Sequence, residues 1–87
     1  MEEKVLSDEW FAVVNPNAGN GKGVKDWKRI AGLLDKNGIK YKMALTEKRG
    51  HATIMTRDLI GSGYRKFISV GGDGTLNEIV NGIFSQD

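Results

Sequence analysis

Two glycine-rich stretches carry residue types suited to holding phosphate: Gly71 to Thr75, "GGDGT", and Asn15 to Gly23, "NPNAGNGKG". In the first, glycine lets the backbone turn through positive φ and come close to a ligand. Amide N–H groups that open a helix carry a partial positive charge, which suits a phosphate oxygen. The side chains of Thr75 and Asn77 add hydrogen-bond partners. Asp73 is the odd member, because a carboxylate beside a phosphate repels it. It makes sense with Mg²⁺ between the two, bound directly or through water. A plainer reading stands beside this one: Asp73-Gly74 is a turn and Thr75 a helix N-cap.

The second stretch approaches two phosphate-loop templates and fits neither. G-x-x-x-x-G-K-[ST] fails because Gly23 follows Gly21-Lys22 and Pro16 stands where the first glycine belongs. G-x-G-x-x-G begins at Gly19 and Gly21, but its third glycine falls one residue early, at Gly23. Asn-Pro and Asn-Gly also make ordinary turns. Lys22 is open to two readings, a phosphate-binding lysine or a solvated one.

Elements that would position these loops are visible on both sides of them. Trp10 to Asn15 is an aromatic and β-branched run that suits a buried strand, ended by Pro16. From Val24 the period changes: Val24, Trp27, Ile30, Ala31 and Leu34 predict an amphipathic helix, stopped at Asn37-Gly38. Ile39, Tyr41, Met43 and Leu45 alternate with Lys40, Lys42 and Ala44, a strand with one wetter face. The loop Thr46 to Gly50, "TEKRG", leads to a helix from His51 to about Gly61, with Ala52, Met55, Leu59 and Ile60 as its buried stripe. Phe67 to Val70 is a third strand. Leu76, Ile79, Val80, Ile83 and Phe84 then form the clearest helical stripe in the chain.

The order β-α-β-α-β-α implies parallel strands with right-handed crossovers, an α/β fold in three α/β/α layers. Loops that follow strands in such a sheet share its carboxyl edge, and ligands bind at the switch point between strands. Strand order 2-1-3 sets "NPNAG" and "GGDGT" side by side, with the Thr46 loop flanking them.

Composition narrows the remainder. At 87 residues the chain is one small domain at most, and chains of this size bury only roughly 60–65% of their unfolded surface. Residues 1–9 read as a polar lead and residues 10–87 as one unit. A net charge of +2 with scattered lysines argues against a nucleic-acid partner. The absence of cysteine removes disulfides, thiolate zinc sites and cysteine nucleophiles. The opening "MEEKVLSDEW" does not read as a secretory signal, and no apolar run approaches the roughly 20 residues of a membrane span. A cytoplasmic location is expected. His51, the sole histidine, fits a local capping or packing role better than proton transfer. Trp27 reads as core, Met43 and Met55 as gap-fillers. Lys40, Lys42, Lys48, Arg49 and Arg57 are either a basic rim or solubilising charges.

"NPNAG" after the first strand, "TEKRGHA" after the second and "GGDGTLNEIVNG" after the third resemble the catalytic domain of the diacylglycerol kinases. The match is nearest the bacterial lipid-kinase branch, related to sphingosine and ceramide kinases. The resemblance covers nearly all of the chain from Trp10. "GGDGT" alone is shared with NAD kinases and in part with phosphofructokinases; "LNEIVNG" points to the lipid-kinase side. The resemblance implies the NAD kinase/diacylglycerol kinase-like fold and an ATP site made by three loops. Asn15, Pro16, Asn17, Ala18 and Gly19 would contact phosphates, Thr46 would touch the nucleotide, and Gly71, Gly72, Asp73, Gly74, Thr75, Leu76 and Asn77 would form the main cradle. Asp73 would belong to a magnesium network. Glu78 and Asn81 match the motif without an assigned contact, leaving open whether they brace the loop or face further chain.

Enzymes of this family are several times longer, with a β-rich domain that shapes the lipid site. The chain is therefore expected to be the N-terminal part of the nucleotide-binding domain of a kinase. That enzyme would transfer the ATP γ-phosphoryl group to a lipid hydroxyl, with its general base elsewhere. The piece alone is expected to be inactive, and the whole protein to sit peripherally at the membrane. Two alternatives remain: an NAD or sugar-phosphate kinase, and a non-catalytic nucleotide-binding module. A three-stranded sheet with free edges also predicts self-association.

Overall fold

The computed structural model describes residues 7–19 and 21–86; most of the polar lead lies outside them. Six elements follow in the expected order: β1 (Trp10–Val14), α1 (Lys22–Lys36), β2 (Tyr41–Leu45), α2 (His51–Gly61), β3 (Lys66–Val70) and α3 (Asp73–Phe84). The strands form one parallel sheet in the order β2-β1-β3. Trp10 stands opposite Tyr41 and Lys66, and Val14 opposite Leu45 and Val70.

β1 is central because its sequence is apolar on both faces. Ala12, Val13 and Val14 are all 0% exposed. Its alternating side chains feed two separate cores. Phe11 and Val13 pack with Ala52 of α2 and Ile79 of α3, supported by Met55, Leu59, Tyr64 and Phe67. Ala12 and Val14 join Val70 on the other face, against Trp27 and Ile30 of α1 and Met43 and Ile68 of the flanking strands. The layers are therefore α1, sheet, and α2 with α3. Edge-to-face ring pairs reinforce both sides, Phe11 on Tyr64 at 5.2 Å and Trp27 on Tyr41 at 5.6 Å between centroids.

Element ends have local causes. α1 closes on Gly38, whose φ is 67°. The Gly38 N–H donates to the Asp35 carbonyl at 3.2 Å and the Ile39 N–H to the Leu34 carbonyl at 3.0 Å, the paired bonds of a Schellman stop. This ties Ile39 to the helix, so β2 begins at Tyr41 rather than at Ile39. α1 starts two residues before Val24. Gly23 is buried there against the Asn15 carbonyl, which a side chain would run into, so glycine lets the helix open directly on the end of β1.

α3 differs from its apolar pattern. Ile79 is 3% exposed, but Leu76 is 52% and Phe84 82% exposed, with Val80 and Ile83 also outside. The buried edge consists of Thr75, Ile79 and Gly82. A Cβ on Gly82 would stand 2.6 Å from the Thr53 carbonyl oxygen and 2.7 Å from Thr56 Cβ. The missing side chain lets α3 seat its small residues against α2, which leaves the larger apolar ones uncovered. On α2, Ala52 and Thr56 are buried, and the Thr56 hydroxyl makes no hydrogen bond. Among the described residues no helix is long and apolar enough to cross a membrane.

Candidate functional site

The three strand-to-helix loops leave the sheet at one edge, and hydrogen bonds pin their first residues. The Asn15 N–H donates to the Val70 carbonyl and the Thr46 N–H to the Val14 carbonyl, both at 2.8 Å. Asn15 then shapes its own loop. Its side-chain oxygen accepts from the Asn17 N–H at 3.0 Å, an Asx turn, and its carbonyl accepts from Ala18 at 3.3 Å. The Ala18 carbonyl in turn accepts from the Gly23 N–H at 3.1 Å, leading into α1. The first and third loops meet at Gly71, whose φ is 155°. A side chain there would collide with the Thr75 hydroxyl and come within 3.2 Å of Asn15 Cβ.

Between the loops lies a cavity of about 440 Å³. Asn15, Asn17, Ala18 and Gly19 line it from the first loop, Thr46 from the second, and Gly72, Gly74 and Thr75 from the third. Thr46 and Thr75 are buried, so both contribute to its inner wall. Pro16 and Gly71 stand outside this lining. Asp73, Leu76 and Asn77 open instead on a neighbouring depression of about 420 Å³, shared with Val80; Gly74 borders both. Among the described residues no group of three or more His, Cys, Asp or Glu could hold a metal ion.

Five further residues line the main cavity: Glu47, Lys48, Arg49, Ala52 and Glu78. The motif "TEKRGHA" contains the first four, and Lys48 and Arg49 were also visible as charges. Ala52 offers no reactive side chain, so only the folded loop reveals its place. All three helices open with glycine at the N-cap, Gly21, Gly50 and Gly72, and none has a side-chain cap of its own. Their positive ends therefore face the loop edge of the sheet. At α2 the deficit is met from another helix: the Ala52 N–H donates to Glu78 Oε1 at 3.2 Å. His51 takes a local role, its Nδ1 accepting the Glu47 N–H at 2.9 Å. Chemically, the arrangement combines backbone donors at the start of α3, two buried hydroxyls and a rim in which Lys48 and Arg49 stand beside Glu47 and Glu78; the donors and the two cations suit an anionic group.

Residues 9–87 match the diacylglycerol kinase catalytic domain. The chain belongs to that family. It is 37% identical over 81 residues to the YtlR protein of Bacillus subtilis (strain 168), whose name places it among lipid kinases; the match covers 90% of this chain and 26% of that protein. A ceramide kinase of Oryza sativa subsp. japonica is 40% identical over 75 residues, 83% of this chain and 12% of its own length. A diacylglycerol kinase of Staphylococcus carnosus (strain TM300) is 35% identical over 71 residues, 82% and 23%. The chain thus spans about a quarter or less of these relatives. Within this diacylglycerol kinase catalytic domain segment, the motifs that suggested the family all stand at one edge of the sheet.

Proposed function

We propose that the chain is the ATP-binding part of a lipid kinase, which transfers the ATP γ-phosphoryl group to a lipid hydroxyl such as that of diacylglycerol. The observation that carries this reading is the convergence of all three motif loops on one cavity, in a family with members named for diacylglycerol and ceramide. Asn15 to Gly19 and Gly71 to Asn77 enclose the phosphates; the donors are the N–H groups that open α3 and the Thr75 hydroxyl, since the Asn15, Asn17 and Ala18 N–H groups are bonded within the fold. Thr46 contacts the nucleoside side.

Asp73 fits a magnesium ion held through water. Its carboxylate is exposed at the first turn of α3, and Mg²⁺ usually takes only one or two carboxylates beside phosphate oxygens and waters. When bound, the ion offsets negative charge on the phosphates. The residues of this chain do the remaining work by binding and alignment, on which phosphoryl transfer depends.

Residues 10–87 form the N-terminal part of the nucleotide-binding domain, and the lipid site and the base come from further chain. By itself the 87-residue chain is inactive. The whole enzyme acts in the cytoplasm, peripherally at the membrane, and the chain alone self-associates. A titration with Mg-ATP followed by backbone amide NMR tests the site. Shifts confined to residues 15–19, 46 and 71–77 are expected. Absence of shifts in both this chain and the full-length protein would overturn the assignment.

A further inference from the structure

We infer that Glu78 is a positioning residue for this cavity, a tie from α3 that fixes the wall running from Thr46 to Ala52. The inference rests on reading the cavity as a nucleotide site. Glu78 lies in the second turn of α3, half-buried, and lines the cavity together with Ala52. Two hydrogen bonds join it to the opening turn of α2. Its carboxylate Oε1 accepts the Ala52 N–H at 3.2 Å, and its own carbonyl accepts the Thr53 hydroxyl at 2.9 Å. The partners are 26 and 25 residues away in sequence, so both bonds set tertiary geometry.

The reason such a tie is needed lies in the cap. Gly50 opens α2 with φ 85° and has no side chain to satisfy a first-turn donor. Glu78 supplies the acceptor that Gly50 lacks. It also sets a negative charge against the positive end of α2. The three helix starts are thereby made unequal. The α2 end is answered by a carboxylate from another helix, whereas the α3 end at Gly72 has no side-chain cap and carries Asp73 in its own first turn. Glu78 thus fixes where the start of α2 stands against α3, and with it the width of the cavity that Ala52 and Glu78 both line.

Two variants separate positioning from a direct charged contact. Glu78→Gln keeps an oxygen for the Ala52 N–H; Glu78→Ala removes it. Mg-ATP affinity is measured by amide shifts, together with hydrogen exchange of the Ala52 amide and the circular dichroism of each variant. In the unsubstituted chain and in Glu78→Gln, the Ala52 amide is expected to be protected, with dissociation constants within about threefold of each other. In Glu78→Ala, protection is lost and the dissociation constant rises about tenfold while the fold persists. Equal affinity in Glu78→Ala overturns the inference, as does an equal loss in Glu78→Gln. If the Ala52 amide behaves as described but no form of the protein binds Mg-ATP, the nucleotide reading itself has failed and the positioning role falls with it.

Discussion

Gly82→Ala probes the contact that sets α3 against α2. The added Cβ would stand 2.6 Å from the Thr53 carbonyl oxygen and 2.7 Å from Thr56 Cβ, well inside the 3.4 Å at which ordinary contact begins. Neither neighbour yields easily: one is helix backbone, the other a side chain with no exposed surface. Alanine gains about 1 kcal/mol over glycine in a helix interior, while forcing atoms into a packed contact costs roughly 1–3 kcal/mol. Because the clash is with backbone, the upper part of that range applies, and the net loss is about 1–2 kcal/mol. For a chain of this size that lowers the melting temperature by roughly 5–15 °C. Gly32→Ala is the control, since nothing lies within 4 Å of a Cβ there, and it should gain roughly 0.5–1 kcal/mol. Thermal and urea unfolding of both variants, followed by circular dichroism, measures the contrast. Equal stabilisation by the two substitutions would refute the tight α2–α3 contact. Glu78 lies one turn before Gly82, so Gly82→Ala should also lengthen its bond to Ala52 and raise exchange of that amide.

Gly71→Ala places a methyl group against the Thr75 hydroxyl at a positive φ; a loss of roughly 1–3 kcal/mol and at least about tenfold weaker Mg-ATP binding are expected, and unchanged titration shifts would count against the cradle. Tyr41 donates to Asp35 at 2.9 Å, and this bond, followed by burial and the Asp35 charge, raises its pKa above the usual 10.0. The stabilising effect of that bond is complete below the unfolded pKa of about 10 and is lost as pH rises through the folded value. A ¹³C titration of the Tyr41 ring should return to the ordinary range in Asp35→Ala, and an unchanged midpoint would contradict the assignment. The uncovered Val80, Ile83 and Phe84 on α3 should make the chain self-associate, and Ile83→Lys with Phe84→Lys should reduce this; a clean monomer of the unsubstituted chain in sedimentation would argue otherwise.

The architecture was legible because single features each fixed one part of it. The run Trp10 to Asn15 marked a buried strand, Asn37-Gly38 marked the end of α1, and the two glycine loops favoured an order in which β1 and β3 are neighbours. The α3 stripe marked the helix correctly but not the face that it buries, for a physical reason. Periodicity registers where apolar residues fall on a helix, whereas close approach depends on small ones, and Thr75 and Gly82 carry little weight in such a pattern. Asp73 belongs to the motif, yet successive helical residues point about 100° apart, and it opens beside the main cavity instead of into it. The tie from Glu78 to Ala52 joins residues distant in sequence, so no local pattern announces it. Lys48 and Arg49 were visible as charges, but only the folded loop sets them at the cavity rim.

The three strands are each five residues long and run in register, none overhanging another at either end. The edge that bears the cavity is consequently level. A residue inserted in a loop alters one side of the cavity and leaves the plank beneath it untouched. A residue inserted within β1 has a different fate, since it would exchange Phe11 and Val13 with Ala12 and Val14 and turn each core's contents toward the wrong helix layer. Tolerance to change in this chain is therefore graded: higher at exposed loop residues such as Glu47, Lys48 and Arg49, lower in the strands and at Gly71 and Gly23, where a side chain would meet its neighbours. The shape of the cavity can change at its exposed loop residues without the supporting layers having to be rebuilt.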